Sequence, residues 1–368
     1  MGRLRLLLAL SVIASHVGPI LGFELIGGSL AVQSFFIISG FYMSLILNEK
    51  YIGPNSSFKL FITNRLLRLY PVYLVVLVLT LVVVVIIGHN SSDSSYPILD
   101  EYAYAGPDKL SSIFLVFTNI FIWGQDLVMF LGINSDTGKL FFTDNFWNTS
   151  PKLYNFLFIP QGWSLALEMT FYLIAPFLLR KRVRFVCIII LLSLAVRIII
   201  YYLLALRNDP WTYRFFPSEL TFFLFGCISY RIYQTLNTMK IPKIAGLLTL
   251  ATVIGLTMIY PILPQSSLQI FHFHLKDILY IGCIIFSTPV LFIISKKNKF
   301  DFKIGELSYP VYIVHLLIAK ICGALAVGIF NNPFSIIVLS IIAAYLLNKA
   351  VVEPIDRLRQ KRLTKTCN

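Results

Sequence analysis

The composition of the chain excludes an ordinary soluble protein. Its 368 residues are 57% hydrophobic and only 13% charged, and the mean hydropathy is +0.79, well above that of soluble domains. The formal net charge is +14, but the basic residues stand in short clusters at the ends of apolar runs. A nucleic-acid-binding face is therefore excluded as well.

Apolar runs recur from one end of the chain to the other. Runs of about 20 residues form helices that cross a hydrocarbon core of roughly 30 Å. The predicted spans are residues 4–22, 29–48, 69–88, 162–180, 185–204, 215–234, 244–263, 277–295, 307–328 and 333–353. No segment has the composition of a separate soluble domain. Residues 1–368 are therefore expected to form a single all-α integral membrane domain, a bundle of about ten transmembrane helices.

The first run has a second interpretation, as a signal peptide. Arg3 and Arg5 would form its basic region and residues 6–15 its apolar region. No small-x-small cleavage site follows cleanly, and His16 interrupts the apolar stretch. We therefore expect this run to stay in the protein as the first helix.

The run at 112–132 is ambiguous because it contains Asn119, Gln125 and Asp126. Loops rich in lysine and arginine stay on the cytoplasmic side of a membrane. The basic clusters at 50–68, 180–184, 231–243, 296–303 and 357–365 all share one side if this run does not cross. We therefore predict an additional, partly inserted segment near 112–132 and both termini in the cytoplasm. A full crossing would turn residues 180–184 outward, unless another crossing lay nearby.

Five ionisable side chains lie within predicted spans, where each costs roughly 2.5–3.5 kcal/mol to insert. They are His16, Glu168, Arg197, Glu219 and His315. Helical rise brings His16, Glu168 and His315 to similar depths, which predicts one buried polar site. Chance agreement in depth and separate interhelical hydrogen bonds are the alternatives. Arg197 and Glu219 lie in neighbouring spans and are expected to neutralise each other.

Histidine with a nearby carboxylate can activate a hydroxyl nucleophile. Tyr312 and Ser308 share the helical side of His315, although ordinary bundle packing explains them equally simply. Arg5 and His16 are eleven residues apart and lie within about 20° of one helical face. Arg5 is either a partner of this histidine or an anchor at the cytoplasmic interface.

Two further pairs have more than one interpretation. Arg65 and Arg68 are three residues apart, and two guanidinium groups on one face can bind a phosphate-rich ligand bidentately. Anionic lipid headgroups would satisfy the same pair. His272 and His274 form only a weak metal-binding pattern in an outer loop, and we predict no metal site.

In the order of the chain, these stretches resemble the motifs of the acyltransferase 3 family of integral-membrane O-acyltransferases. One such motif would be weak, but the ordered set covers nearly the whole chain. The matching stretches are RLLLALSVIASH, GGSLAVQSFFIISGFYMSLIL, FITNRLLRLYPVYLVVL, WSLALEMTFYLIAPFLL, RFFPSELTFFLFGCISY, IGELSYPVYIVHLLI and VVEPIDRLRQKR. The chain departs from the family pattern at Leu6, Gln33 and Met169.

The resemblance implies transfer of an acyl group, most often acetyl from cytoplasmic acetyl-CoA, to a hydroxyl of a surface glycan. By position, His16 matches the catalytic histidine, Arg5 its same-helix partner, and Glu168 the signature acid. Arg65 and Arg68 match the arginine pair associated with handling the donor.

The remaining expectations follow from the same resemblance. Ser164, Tyr312 and His315 are expected to support the catalytic residues. Acyl-CoA is the expected co-substrate, with no bound cofactor, and the acceptor is a glycan or lipid-linked saccharide. Membrane lipid is an expected partner and nucleic acid is not. A bacterial inner membrane is the expected location.

Mechanism and function leave alternatives at this stage. His16 can act as a general base, with Glu168 orienting it, or can carry the acyl group covalently. Polar groups at matched depth also occur in proton-coupled secondary transporters, although no inverted repeat is visible here. A purely structural membrane protein would not require this set of residues.

Overall fold

The computed structural model describes residues 1–90, 97–239, 241–325 and 329–364. It is 75% helical, and its four strands within those ranges form only two small antiparallel pairs, which confirms an all-α protein. The strands are β1 (Leu131–Ile133) with β2 (Leu140–Phe142), and β3 (Gln269–Ile270) with β4 (Phe273–His274). The helices are α1 (Gly2–Val17), α2 (Gly28–Glu49), α3 (Phe58–Asn90), α4 (Pro97–Ala105), α5 (Lys109–Phe121), α6 (Trp163–Leu178), α7 (Val183–Ile198), α8 (Phe216–Leu236), α9 (Lys243–Ile259), α10 (Leu275–Ser295), α11 (Lys299–Leu325), α12 (Pro333–Leu347) and α13 (Glu353–Thr364). Single π-helical turns extend α7 and join α12 to α13.

Seven helices in the described part of the chain are long and apolar enough to cross a membrane, as an integral membrane protein requires. They include α2, most of α3, α10 and α11. The other three are α7 extended to Leu203, α9 extended to Ile262, and α12 continued through its π-helical turn and α13 to Leu363. The predicted number of about ten is not confirmed. The helices α1 and α6 have only 16 residues each. The helix α8 is continuous, but Glu219, Arg231 and several hydroxyl side chains make it less apolar than the seven.

The first helix ends at Val17, so the predicted boundary at residue 22 is wrong. Gly18 has a positive φ of 104° and closes the helix by donating its N–H to the carbonyl of Ala14. Pro19 follows and has no N–H with which to continue the helical ladder. His16 therefore lies in the last turn of α1 rather than in the middle of a longer span.

The third helix begins earlier than predicted, at Phe58 instead of residue 69. Arg65 and Arg68 consequently lie two to three turns inside α3 and not ahead of it. The C-terminal helix α13 packs against these extra turns, where Arg362 donates to Asn64.

The ambiguous run at 112–132 is not one continuous helix. Its helical part, α5, has 13 residues, about 20 Å, which is too short to cross a core of roughly 30 Å. Asn119 is buried and bonds the backbone of the following segment, accepting from the N–H of Phe158 and donating to the carbonyl of Phe156. Gln125 donates to the hydroxyl of Tyr73 on α3 at 2.8 Å. The polar residues thus fasten this segment to the bundle.

Contacts bring the five basic clusters together at one end of the bundle. Arg180 donates to the carbonyls that end α2, and Arg231 donates to the carbonyl of Lys181. Lys296 reaches Asn237, and Arg362 of α13 reaches Asn64 of α3. We call this the basic end, and the end formed by residues 97–162 the opposite end.

Close approach between α2 and α8 sets the lateral packing of the bundle. A Cβ atom on Gly226 would lie 2.0 Å from the carbonyl oxygen of Ile37, and one on Gly40 would lie 1.8 Å from that of Phe223. Only glycine permits the two backbones to pack at this distance. Next to the contact, the rings of Phe36 and Phe223 stack with centroids 4.5 Å apart.

Gly226→Ala should therefore destabilise the protein by roughly 1–3 kcal/mol, because the added methyl group meets backbone that cannot move aside. Gly282→Ala in α10 is the matched control, since nothing lies within 4 Å of its added Cβ atom. Thermal unfolding in detergent measures both variants. Helix propensity alone would make both substitutions stabilising, so an unchanged midpoint for Gly226→Ala would contradict the close contact.

Candidate active site

A pair of histidines lies at the C-terminal end of α1. The Nδ1 atom of His16 is 3.0 Å from Nε2 of His315, and the two rings stack with centroids 5.1 Å apart. His315 is completely buried in α11, whereas His16 is exposed. Two of the three groups that were expected at similar depth are therefore in direct contact.

Hydrogen bonding determines which nitrogen atoms of the pair carry protons. Nδ1 of His315 is 2.6 Å from the backbone carbonyl oxygen of Tyr312. A carbonyl only accepts, so this Nδ1 is protonated and, in a neutral ring, Nε2 of His315 is an acceptor. His16 must then donate from its Nδ1, which leaves a lone pair on its Nε2. The His16 side chain also has a backbone hydrogen bond with Val12, one turn earlier on α1, and no hydrogen bond between described residues is assigned to its Nε2 atom.

Ser164 and Tyr312 form the next polar contact toward the basic end. Their hydroxyl oxygens are 2.7 Å apart, and both lie within reach of the backbone carbonyl oxygen of Gln161, at 3.2 and 3.1 Å. Both side chains are buried. Tyr312 therefore keeps its hydroxyl inside the bundle. Ordinary packing of α11 with the hydroxyl extended outward would have been the alternative.

Glu168 lies one helical turn beyond Ser164 on α6. Its Oε1 atom accepts hydrogen bonds from Ser39 Oγ and Tyr172 OH, both at 2.6 Å. Bonds of this length are typical of an ionised carboxylate. No hydrogen bond joins Glu168 to His16 in the described part of the chain, so the group that orients His16 is His315.

Two arginines lie on the other side of Glu168. The Arg5 guanidinium lies 6.0 Å from the ring centroid of Tyr42, and Arg5 and Arg68 interact electrostatically with each other and with the carboxyl groups of Glu168 and Glu306. Arg5 therefore faces the interior, where its charge is offset by carboxylates.

Arg65 completes the predicted arginine pair and is only 8% exposed. Its Nε atom is buried and has no hydrogen-bond partner in the described part of the chain, and its charge acts on the hydroxyl of Tyr172. The pair thus faces the bundle interior more than the lipid. Buried guanidinium groups with spare donors are suited to hold phosphate.

Together these residues form a line of polar side chains, the polar column, from the histidine pair to the basic end. Its members are His16, His315, Tyr312, Ser164, Glu168, Arg5, Arg68 and Arg65.

Regular spacing on two helices builds much of the column, and our sequence reasoning missed part of it. The residues Ser164, Glu168 and Tyr172 recur every fourth position on α6, while Glu306, Tyr309, Tyr312 and His315 recur every third position on α11. Successive members of each series lie one turn apart on neighbouring parts of the helix surface. The series on α6 stays on one side, whereas the series on α11 winds round its helix, because each step of three residues turns by about 60° and Glu306 ends about 180° from His315. Spacing could therefore have identified Tyr172 and Tyr309 as neighbours of Glu168 and Tyr312, but not Glu306. Ser39 and Tyr42 lie within the motif FFIISGFY and carry no such periodicity.

An aromatic cluster lies near the histidine pair at the opposite end. The Arg214 guanidinium lies 4.2 Å from the ring centroid of Trp163 and forms a bidentate ion pair with Asp209, with distances from 2.8 to 3.1 Å. Its charge acts on the His16 ring. Burial raises the pKa of Tyr213 well above its usual value, against the opposing effect of Arg214, so the Tyr213 hydroxyl stays protonated. Trp163 and Arg214 each begin one of the matching sequence stretches, but nothing in the sequence indicated that they meet.

The other two charged residues predicted within spans, Arg197 and Glu219, form a separate ion pair between α7 and α8. Arg197 pairs with Glu219 at 2.7 Å, and Gln33 donates to the same carboxylate at 3.3 Å. Arg197 also donates to the carbonyls of Thr212 and Ser218. The predicted neutralisation is confirmed, and it satisfies both charges within the bundle.

The fold and the polar column define the class of protein: an integral membrane protein with a candidate active site inside its helical bundle. The sequence model of the acyltransferase 3 family, described as an acyltransferase domain, matches residues 3–349. The chain belongs to this family and is a membrane acyltransferase. No curated protein and no solved structure matches it.

The histidine pair makes a spectroscopic prediction. In protein labelled with ¹⁵N-histidine, the rings of His16 and His315 should both be neutral with the proton on Nδ1, because each Nδ1 faces an acceptor. His315→Ala should remove this preference from His16 and leave the signals of His272 unchanged. A proton on Nε2 of His16 in the unaltered protein would contradict the arrangement.

Proposed function

We propose that the protein is an O-acyltransferase that moves an acyl group, most simply acetyl, from cytoplasmic acyl-CoA to a hydroxyl of a surface glycan or lipid-linked saccharide. Family membership supports acyl transfer. The observation that carries the catalytic part is the lone pair on Nε2 of His16, left free by the hydrogen bond to His315.

The donor binds at the basic end in this proposal. Arg65 and Arg68 hold the phosphate groups of CoA, and the pantetheine arm follows the polar column toward His16. Arg5 and His16 are eleven residues apart on one helix, about 16 Å along its axis, so the column connects the two ends of an extended ligand. No resident cofactor is part of the proposal.

The acceptor binds at the opposite end. Arg214 and Asp209, which are partly exposed beside His16, offer donors and acceptors for the hydroxyl groups of a sugar, and the largely buried rings of Trp163 and Tyr213 hold Arg214 in place. The protein would lie in a bacterial inner membrane with the basic end and both termini in the cytoplasm, as the clustering of basic residues supports. The count of about ten crossings and the partial insertion of residues 112–132 belong to the same proposal.

Nε2 of His16 removes the proton of the acceptor hydroxyl as its oxygen attacks the thioester carbonyl carbon. The carbon–sulfur bond then breaks, and the proton returns to the thiolate of CoA. His315 holds the His16 ring in the tautomer that keeps Nε2 of His16 free. The backbone carbonyl of Tyr312 accepts from Nδ1 of His315, and the hydroxyl of Ser164 bonds the hydroxyl of Tyr312. Glu168 acts at a distance, by offsetting the charges of Arg5 and Arg68.

A covalent route uses the same nitrogen atom. Nε2 of His16 would attack the thioester first, release CoA thiol, and pass the acyl group to the acceptor in a second step. Labelled acyl-CoA without acceptor distinguishes the routes, since only the covalent route leaves label on the protein after rapid acid quenching.

His16→Ala should lower transfer of label from radiolabelled acetyl-CoA to glycan by about 10²–10⁴-fold, the usual contribution of a general base. Membranes that contain each variant in equal amount provide the assay. His272→Ala, in the loop between β3 and β4, is the control and should keep full activity. Equal activity of the two variants would contradict the role of His16. Accumulation of a solute in vesicles without acyl-CoA would favour a transporter instead.

A further inference from the structure

The C-terminal helix α13 docks against the first turns of α3. Arg362 donates to Asn64 Oδ1 at 3.1 Å and to Thr63 Oγ1 at 2.8 Å. Asn64 is itself buried and donates to the hydroxyl of Tyr51. These contacts place α13 beside the turn of α3 that carries Arg65 and Arg68.

Docking brings a third arginine to this pair. Arg359 interacts electrostatically with both Arg65 and Arg68, and its side chain is only 11% exposed. Three guanidinium groups from two helices thus share one partly buried region. Like charges held together away from water repel each other strongly unless an anion lies between them.

The protein's own groups leave part of this cluster unsatisfied. Asp356 forms an ion pair with Arg359, and Asp356 and Glu306 both attract Arg68. Even so, among the residues that the structure describes, the Nε atoms of Arg65 and Arg359 are buried and have no hydrogen-bond partner. An unpaired buried donor is costly, so two such donors on facing helices favour a ligand that carries acceptor groups.

A small surface crevice adjoins the cluster between α3 and the last helices. It is lined by Arg68, Pro71, Val352, Ile355 and Asp356, so Arg68 borders the protein surface at this point.

We propose that α13 completes the donor site, with Arg359 binding the nucleotide phosphates of acyl-CoA together with Arg65 and Arg68. This inference rests on the proposed function. Three forked guanidinium groups match a ligand that carries several phosphate groups better than a single headgroup does. Binding of CoA therefore requires α13 in its docked position.

Arg357 provides a matched control on the same helix. It is two residues from Arg359, about 200° around the helix, and it is exposed. Arg357→Gln and Arg359→Gln remove the same charge from α13, but only the second removes a group that faces α3.

The test measures binding of CoA and of adenosine 3′,5′-bisphosphate to the full-length protein in neutral detergent. Arg359→Gln should raise the Kd of both ligands about 10- to 100-fold, and Arg357→Gln should leave it unchanged. Arg359→Lys, which keeps the charge but loses the fork, should give an intermediate loss. Thermal unfolding shows whether each variant is folded. If Arg359→Gln is not folded, the binding measurement uses Arg359→Lys instead.

Equal Kd values for Arg357→Gln and Arg359→Gln would overturn the proposal. An effect of Arg359→Gln on binding to phosphatidylglycerol nanodiscs, with no effect on binding of CoA, would also overturn the proposal. The cluster would then hold lipid headgroups. CoA binding that depends on Arg359 in a protein without acyl transfer would support this inference and overturn the proposed function. Acyl transfer that proceeds unchanged in Arg359→Gln would support the proposed function and overturn this inference.

Discussion

Charged side chains inside a membrane bundle must be satisfied by one another, because lipid offers them no partner. Two arrangements in the described part of the chain illustrate this constraint. Arg197 and Glu219 neutralise each other directly at 2.7 Å and connect α7 to α8. The polar column is different, since its charges are spread over several helices, and among the described residues some of its donors and acceptors have no hydrogen-bond partner.

The unsatisfied atoms of the column lie at its two ends. At one end, Nε2 of His16 has a lone pair that the histidine pair directs away from His315. At the other, Arg65 has a buried Nε atom for which the described residues provide no acceptor. Between them, Glu168, Ser39 and Tyr172 satisfy one another. An acyl donor with phosphates at one end and a thioester at the other would satisfy both ends at once.

Much of this arrangement could be predicted from the sequence. The motifs located His16, Glu168, Arg65 and Arg68, and the spacing of polar residues on α6 and α11 would have supplied most of the rest. The helix limits were harder. Gly18 and Pro19 end α1 early, and α13 supports the early start of α3.

Contacts across the bundle could not be predicted from one sequence, because they depend on how helices pack sideways. The partner of His16 is His315 and not Glu168, and this follows from the positions of α1, α6 and α11 relative to one another. The glycine contact between α2 and α8 belongs to that lateral packing. Helical periodicity gives the depth and face of a residue, but it does not give the neighbour that the face meets.

A cryo-EM structure of the protein with an unreactive acyl-CoA thioether analogue would show whether the polar column binds the acyl donor. We expect phosphate density at Arg65 and Arg68 and the acyl carbon near His16, leaving room for a hydroxyl within about 3 Å of both that carbon and Nε2 of His16. An analogue bound outside the polar column, or with its acyl end remote from His16, would contradict this expectation.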